Sequence, residues 1–291
     1  DTSLLPLLKE HKVAYTGYEE VPNYDGATIM VVDHNGNGME DIVFIVDQGT
    51  KYGEDSTYFY VAGATDYKTV KIDGTQYTYR TVYVDGTGQT DGAYTSLSAA
   101  VAEMPGGGTI IIAGNTVIAQ NTVLPATGKL CITSKYENED YTDVAALQFK
   151  ASLTLGAETV FKDIVLERTL YTGGNLFIIA GGKPLTIDTG VVCLNYTGKQ
   201  YLSVIGGNYN TDFVGESNIT IKSGFFRNVF GGNHYGTFNG SSYVNILGGS
   251  YENAVVGGNF TDNFIGDAHL TFAGSASLLH TSGTQGIIGG T

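Results

Sequence analysis

Tryptophan is absent from the 291 residues, cysteine occurs only twice, and basic residues number 15 against 29 acidic ones. The resulting formal net charge of −14 leaves no basic patch to displace counterions from phosphates, which argues against nucleic acid and anionic membrane surfaces as partners. Cys131 and Cys193 lie 62 positions apart and match no zinc or redox spacing. They are expected to be small buried side chains, with a disulfide between them left open. No run of about 18 apolar residues occurs, so no membrane-spanning helix is expected. The 41 glycines follow no three-residue period, which excludes collagen. Charged residues are only 15%, but 42% of the chain is hydrophobic, so the composition is not that of a disordered protein.

What the sequence has is a repeat. A Gly-Gly pair falls at Gly181-Gly182, Gly206-Gly207, Gly231-Gly232, Gly257-Gly258 and Gly289-Gly290, at spacings of 25, 25, 26 and 32. A second column follows at Gly190, Gly215, Gly240 and Gly266, and a third at Gly198, Ser223, Gly248 and Gly274. Between them runs an alternating stretch: Leu194-Asn195-Tyr196, Ile219-Thr220-Ile221, Val244-Asn245-Ile246 and Leu270-Thr271-Phe272. A unit of about 25 residues with period-two alternation and no helical period reads as one coil of a parallel β-solenoid. Stacked coils would place Asn208, Asn233 and Asn259 in an amide ladder. They would also make aromatic columns of Phe213, Phe238 and Phe264, of Tyr201, Phe226 and Tyr251, and of Tyr209, His234 and Phe260. The runs "TIIIAG" (109–114), "KLCITS" (129–134) and "NLFIIAGG" (175–182) continue the β pattern less regularly toward the N-terminus.

The stretch "VYVDGTGQTDGAYTSLSAAVAEMPGGGTIIIAG" (82–114) carries a strand, a D-G-T-G loop, an S-L-x-A-A-V helix, a P-x-G-G turn and a T-I-x-I-x-A-G strand. It resembles the first turn of the right-handed parallel β-helices of the pectate-lyase-like superfamily. The resemblance spans residues 82–291 and implies that fold; the superfamily holds lyases, hydrolases, esterases, tailspikes and non-catalytic adhesins, so it fixes no activity. The helix is expected at 95–104, capped by Thr95 or Ser96 and stopped by Pro105, covering the open end of the solenoid and its edge strand. The chain starts at Asp1 without a signal peptide, and its final "IGGT" reads as the start of a next coil; a processed piece of a longer protein is expected.

Residues 1–81 hold 9 of the 20 tyrosines and few glycine pairs, and read as a separate small β module with strands at 27–33, 41–47, 57–62, 67–72 and 76–84. Within "VVDHNGNGMEDIVFIVD", Asp33, Asn35, Asn37 and Asp41 present alternating side-chain oxygens around a glycine, a pattern that can hold a hard cation such as Ca²⁺. The loop is similar to the calcium loops of FG-GAP-like and dockerin-like repeats. It departs from them in two Asn for Asp replacements and in Phe44 where a bidentate Glu would stand, so a polar hairpin turn remains the alternative. The following segment is similar to modules of large Gram-positive surface proteins that carry surface-layer anchoring domains.

For catalysis, Glu216 and Asp267 fall at equivalent positions two coils apart, about 9.6 Å at the usual strand spacing. That is near the upper limit for an inverting glycosidase, with Ser241 between them. Arg168 and Arg227 are the only arginines of the solenoid, a weak grip for a polyanion. For binding, the Tyr201, Phe226 and Tyr251 column would be a sugar-stacking platform if it faces outward, or an internal ladder if it faces inward. The sparse charge of 173–291, six acidic and four basic residues, suits a shaft. The expected whole is an extracellular or cell-surface bacterial protein, all-β, a monomer or part of a longer chain. Its expected work is adhesion, contact with a polysaccharide or a cell-wall or host glycan, or cell-wall scaffolding, without catalysis. A polysaccharide lyase or glycoside hydrolase is the alternative.

Overall fold

The computed structural model of the chain describes residues 28–32, 41–45, 67–72, 75–169, 174–195, 201–279 and 286–289. The alternation of apolar and polar residues is resolved by stacking: about seven turns of chain pile up as a parallel β-solenoid. Each turn lays one short strand into each of several sheets. The first sheet has nine strands, from Tyr67–Ile72 and Thr75–Asp85 through Gly108–Gly114, Leu130–Thr133, Thr159–Lys162, Leu185–Ile187, Ser217–Ile221 and Ser242–Ile246 to Ala268–Phe272. All of its pairings are parallel except that of Tyr67–Ile72 with Thr75–Asp85.

The second sheet runs through Thr122–Val123, Leu153–Thr154, Phe177–Ile179, Ser203–Ile205, Phe225–Phe230 and Ser250–Val256, which pairs with both Ser277–Leu278 and Ile287–Ile288. A third sheet, Thr116–Ile118, Leu147–Phe149, Val165–Arg168 and Val192–Leu194, serves only the earlier coils. A fourth, Phe213–Val214, Phe238–Asn239 and Phe264–Ile265, serves only the later ones.

Register puts like on like. Ile110, Ile132, Phe161, Ile187, Ile221 and Ile246 form one inward column of the first sheet, each wholly buried. Leu153, Ile178, Val204, Val229 and Val255 form the matching column of the second. Each such side chain contributes about 1.5–3 kcal/mol by leaving water, so the stack and not any single coil is the stable unit.

One coil departs from the register that the repeat suggests. Leu185-Thr186-Ile187, not Leu194-Asn195-Tyr196, pairs with Ile219-Thr220-Ile221. Leu194 instead pairs with Glu167 in the third sheet. Both stretches alternate, but after Gly181-Gly182 the chain passes through Lys183-Pro184 directly into the first sheet, whereas Gly206-Gly207, Gly231-Gly232 and Gly257-Gly258 are each followed by an added segment. Gly190 accordingly sits against Asp163 and is not in the Gly215, Gly240 and Gly266 column, whose members pack on one another's backbones. Gly198 lies outside the described residues.

Helix α1 (Leu97–Ala102) is capped by Ser96, whose Oγ accepts the Ala99 N–H at 3.2 Å, and it buries Leu97, Ala100 and Val101 in the core with Val82 and Val84. It does not have to protect a bare edge. Strand Thr75–Asp85 runs through the expected boundary at 81/82, pairs with the first coil over Arg80–Asp85, and carries Tyr67–Ile72 on its other side. Strands Thr28–Val32 and Asp41–Ile45 form an antiparallel pair, while the strand expected at 57–62 lies outside the described residues.

Candidate functional site

The outer face of the second sheet is apolar as well, and the added segments are what covers it. Phe177, Ile179, Ile205, Phe230, Ala254 and Val256 make a second buried cluster on that face. The rings of Tyr209, His234 and Phe260 lie against it, with Phe177 centred 5.3 Å from Tyr209 and Phe230 5.1 Å from Phe260. These three residues follow Gly206-Gly207, Gly231-Gly232 and Gly257-Gly258, one per coil. The column Val123, Thr154, Ile179 and Ile205 marks where the cover begins, since Val123 is 72% exposed, Ile179 7% and Ile205 wholly buried.

At this step the uncovered sheet and the first added segment enclose a groove of about 530 Å³. Val123, Thr154 and Ile179 form its floor, and Tyr209 and Asn210 stand at one wall. Asn121, Ser152 and Asn175 supply amides and a hydroxyl along the corner. They are held in place: Asn121 Oδ1 accepts the Ser152 N–H at 3.1 Å, Ser152 Oγ accepts the Phe177 N–H at 3.1 Å, and Arg227 Nη1 donates to Asn175 Oδ1 at 2.9 Å. Among the described residues, Lys150 is the only charged side chain in the lining, and neither Asp nor Glu is there.

Tyr209 is the first ring of a stack. It lies 5.2 Å from His234 at an interplanar angle of 15°, and His234 lies 4.6 Å from Phe260 at 15°. His234 is 6% exposed and its Nδ1 has no hydrogen-bond partner, so burial pushes the imidazole pKa down to about 4. Tyr235 meets His234 edge-on at 4.4 Å. Tyr209 and Phe260 stay 41% and 48% exposed.

The residues singled out from sequence are distributed otherwise. Phe226 and Tyr251 are register partners with no exposure, and the Tyr251 hydroxyl donates to the Gly248 carbonyl at 2.8 Å. Rings buried in this way offer no face to a sugar. Tyr201 is not in their column but stacks on Phe225 at 3.7 Å. The outward aromatic column is therefore Tyr209, His234 and Phe260, which the repeat identified as a stack without indicating which way it faces.

Glu216, Ser241 and Asp267 do occupy equivalent positions, because Ser217 N–H donates to the Ser241 carbonyl and Ser242 N–H to the Asp267 carbonyl. Both carboxylates are exposed and neither lines the groove. Arg168 is fully buried and gives Nη2 to the Gly174 carbonyl at 2.6 Å. Of the calcium-loop residues, Asp33, Asn35 and Asn37 lie outside the described residues; Asp41 begins a strand. Among the described residues no cluster of three His, Cys, Asp or Glu side chains is placed to hold a metal. Cys131 and Cys193 are buried and not joined by a disulfide, and burial raises the Cys193 thiol to about 12.

The D-G-T-G loop proves to be built around Asp85, only 1% exposed. Its Oδ1 accepts the Thr87 N–H and hydroxyl, and its Oδ2 accepts the Gln89 and Thr90 N–H groups at 2.9 and 2.8 Å. Burial alone would raise this carboxyl, but the donors at Thr87 and Thr90 outweigh it and hold the pKa well below the ordinary value. The loop is a structural clasp at the head of the solenoid. Comparison of the chain with family models, with curated proteins and with solved structures gives no match.

Proposed function

We propose that the chain is part of a secreted or cell-surface bacterial protein that makes contact with carbohydrate through the groove at Tyr209, without catalysis. The observation that carries this reading is the groove's composition. Amides, hydroxyls and one exposed ring are set over an apolar floor, and among the described residues no carboxylate joins them. Such a lining matches the hydroxyls and C–H faces of a saccharide. A glycosidase needs two carboxyl groups flanking the scissile bond, and this lining supplies none. The D-G-T-G loop, the S-L-x-A-A-V helix and the stacked coils resemble the pectate-lyase-like superfamily, whose members include adhesins and tailspikes as well as enzymes.

The test is incubation with neutral, acidic and amino-sugar polysaccharides, with Ca²⁺ and with chelator, following both retention and chain cleavage. Retention of a polysaccharide without cleavage is expected. Cleavage of any of them would overturn the non-catalytic reading and direct attention to Glu216 and Asp267. If none is retained, the carbohydrate reading fails.

A further inference from the structure

The ring stack rises one residue per coil, Phe260, His234, Tyr209, and then stops where the groove begins. It stops because the preceding coil lacks the added segment: Gly181-Gly182 leads through Lys183-Pro184 into the first sheet, and no ring follows at the equivalent place. Tyr209 thus has His234 parallel to one face, while among the described residues no ring lies parallel on the other. Phe177 meets Tyr209 only at a tilt of 48°. The asparagine ladder ends at the same point. Asn233 and Asn259 each offer Oδ1 to the backbone N–H of the coil before, at 2.7 Å, but Lys183 N–H turns back to the Ala180 carbonyl. Both ladders therefore end at the groove, beside the coil that lacks an added segment.

We propose that this vacant rung is a subsite for a ring of a neutral polysaccharide. The C–H face of one pyranose would stack on Tyr209 as the next member of the column. Its hydroxyls would meet Asn210 and Asn175, and the chain would run along the Val123, Thr154 and Ile179 floor. The inference rests on the carbohydrate reading and adds the ligand class and the residue that carries the affinity. Neutral polymer is the choice because one cation, Lys150, faces the groove in a chain of net charge −14, which repels polyanions. Amide and hydroxyl groups already fixed by Arg227, Ser152 and the backbone lose little freedom when they bind.

The test measures binding of neutral gluco-, manno- and galacto-oligosaccharides and of polygalacturonate by titration calorimetry. Saturation-transfer NMR would report which sugar protons lie on the protein. The proteins compared would be the wild type, Tyr209→Phe, Tyr209→Ala and Tyr243→Ala, each checked for an unchanged melting transition. Tyr209→Ala is expected to weaken a neutral oligosaccharide about tenfold or more, as loss of a ring stack does. Tyr209→Phe keeps the face and is expected to bind within about threefold of wild type, a difference of under 1 kcal/mol. Tyr243→Ala, at a ring that stacks on His269 and lies outside the groove lining, is expected to bind like wild type. Unchanged affinity in Tyr209→Ala would overturn the subsite while leaving the carbohydrate reading intact. Binding of polygalacturonate alone would overturn the neutral class. Failure of the wild type to bind any of the four would remove the carbohydrate reading itself.

Discussion

Asn233 accepts the backbone N–H of Asn208 on its side-chain Oδ1 at 2.7 Å, and its own N–H goes to Asn259 Oδ1 at 2.7 Å. The asparagine column is thus not amide stacked on amide but amide bridged through backbone, coil to coil. Asn233 Nδ2 also donates to the carbonyls of Thr211, Gly236 and Thr237, fastening the added segments of two coils. Replacing Asn233 by Ala strands these buried groups, and a loss of about 3 kcal/mol is expected in urea unfolding. Asn233→Asp keeps the acceptor but turns an oxygen toward three carbonyls, and should cost at least as much. A variant of near wild-type stability would show that the ladder is not a stabilising element.

Gly232 seats the same ladder. A Cβ there would run into Asn259 Oδ1. Gly232→Ala is therefore expected to displace the Asn259 side chain and lower the urea midpoint, whereas Gly174→Ala, where a Cβ meets nothing within 4 Å, should not. Equal midpoints for the two variants would refute the close-packing account of the Gly-Gly corner.

His234 makes stability fall in mild acid. Its folded pKa, about 4, lies below its ordinary 6.5, so the unfolded chain takes up the proton first as pH drops. The contribution is complete above pH 6.5 and is lost between 6.5 and about 4, by up to about 3 kcal/mol less any cation–π gain against Tyr209 and Phe260. Unfolding free energies at pH 7.5, 5.5 and 4.5 should show this slope in wild type, and His234→Phe should flatten it. A slope that survives His234→Phe would assign the effect elsewhere.

Asp85 acts at a lower pH. Its folded pKa lies below the ordinary 3.8, so its contribution is present above 3.8 and is lost as pH falls below that value. Asp85→Asn replaces one acceptor oxygen by an NH₂ that faces N–H donors, and should cost about 2 kcal/mol at neutral pH. Thermal melts of the two proteins at pH 7 would measure it. The mutation is also expected to remove the part of acid unfolding below pH 3.8 and to leave the His234 window unchanged.

The coil period, the Gly-Gly corners and the Ser96 cap were legible because stacked positions must repeat and a cap is local chemistry. The coil from Leu185 was not, since Leu185-Thr186-Ile187 and Leu194-Asn195-Tyr196 alternate equally well and period two cannot choose between them. Phe226-Tyr251 and Tyr209-His234-Phe260 also leave the same mark in a repeat, whether they stack inside the coil or outside it. The groove was the least legible feature. It arises where a segment is missing after Gly182, and its walls come from Asn121 to Asn210, so only the pairing of coils brings them together. The one local sign was that Lys183 stands where later coils have Asn208, Asn233 and Asn259.

In-register stacking also governs which residues a coil can repeat. A side chain copied from one turn to the next lies over its own copy at about 4.8 Å, so a copied carboxylate or ammonium would face its like. The charges present respect this. Ser241 separates Glu216 from Asp267, and Lys222 rests 3.1 Å from Asp188 of the coil before, its sign opposite. Aliphatic side chains, phenylalanine, asparagine and glycine attract or tolerate their own image, and the columns are made of these. The scarcity of charge in these coils is then a selection rule on duplication: a turn can be copied in line only after its ions have been edited out or given partners of the other sign.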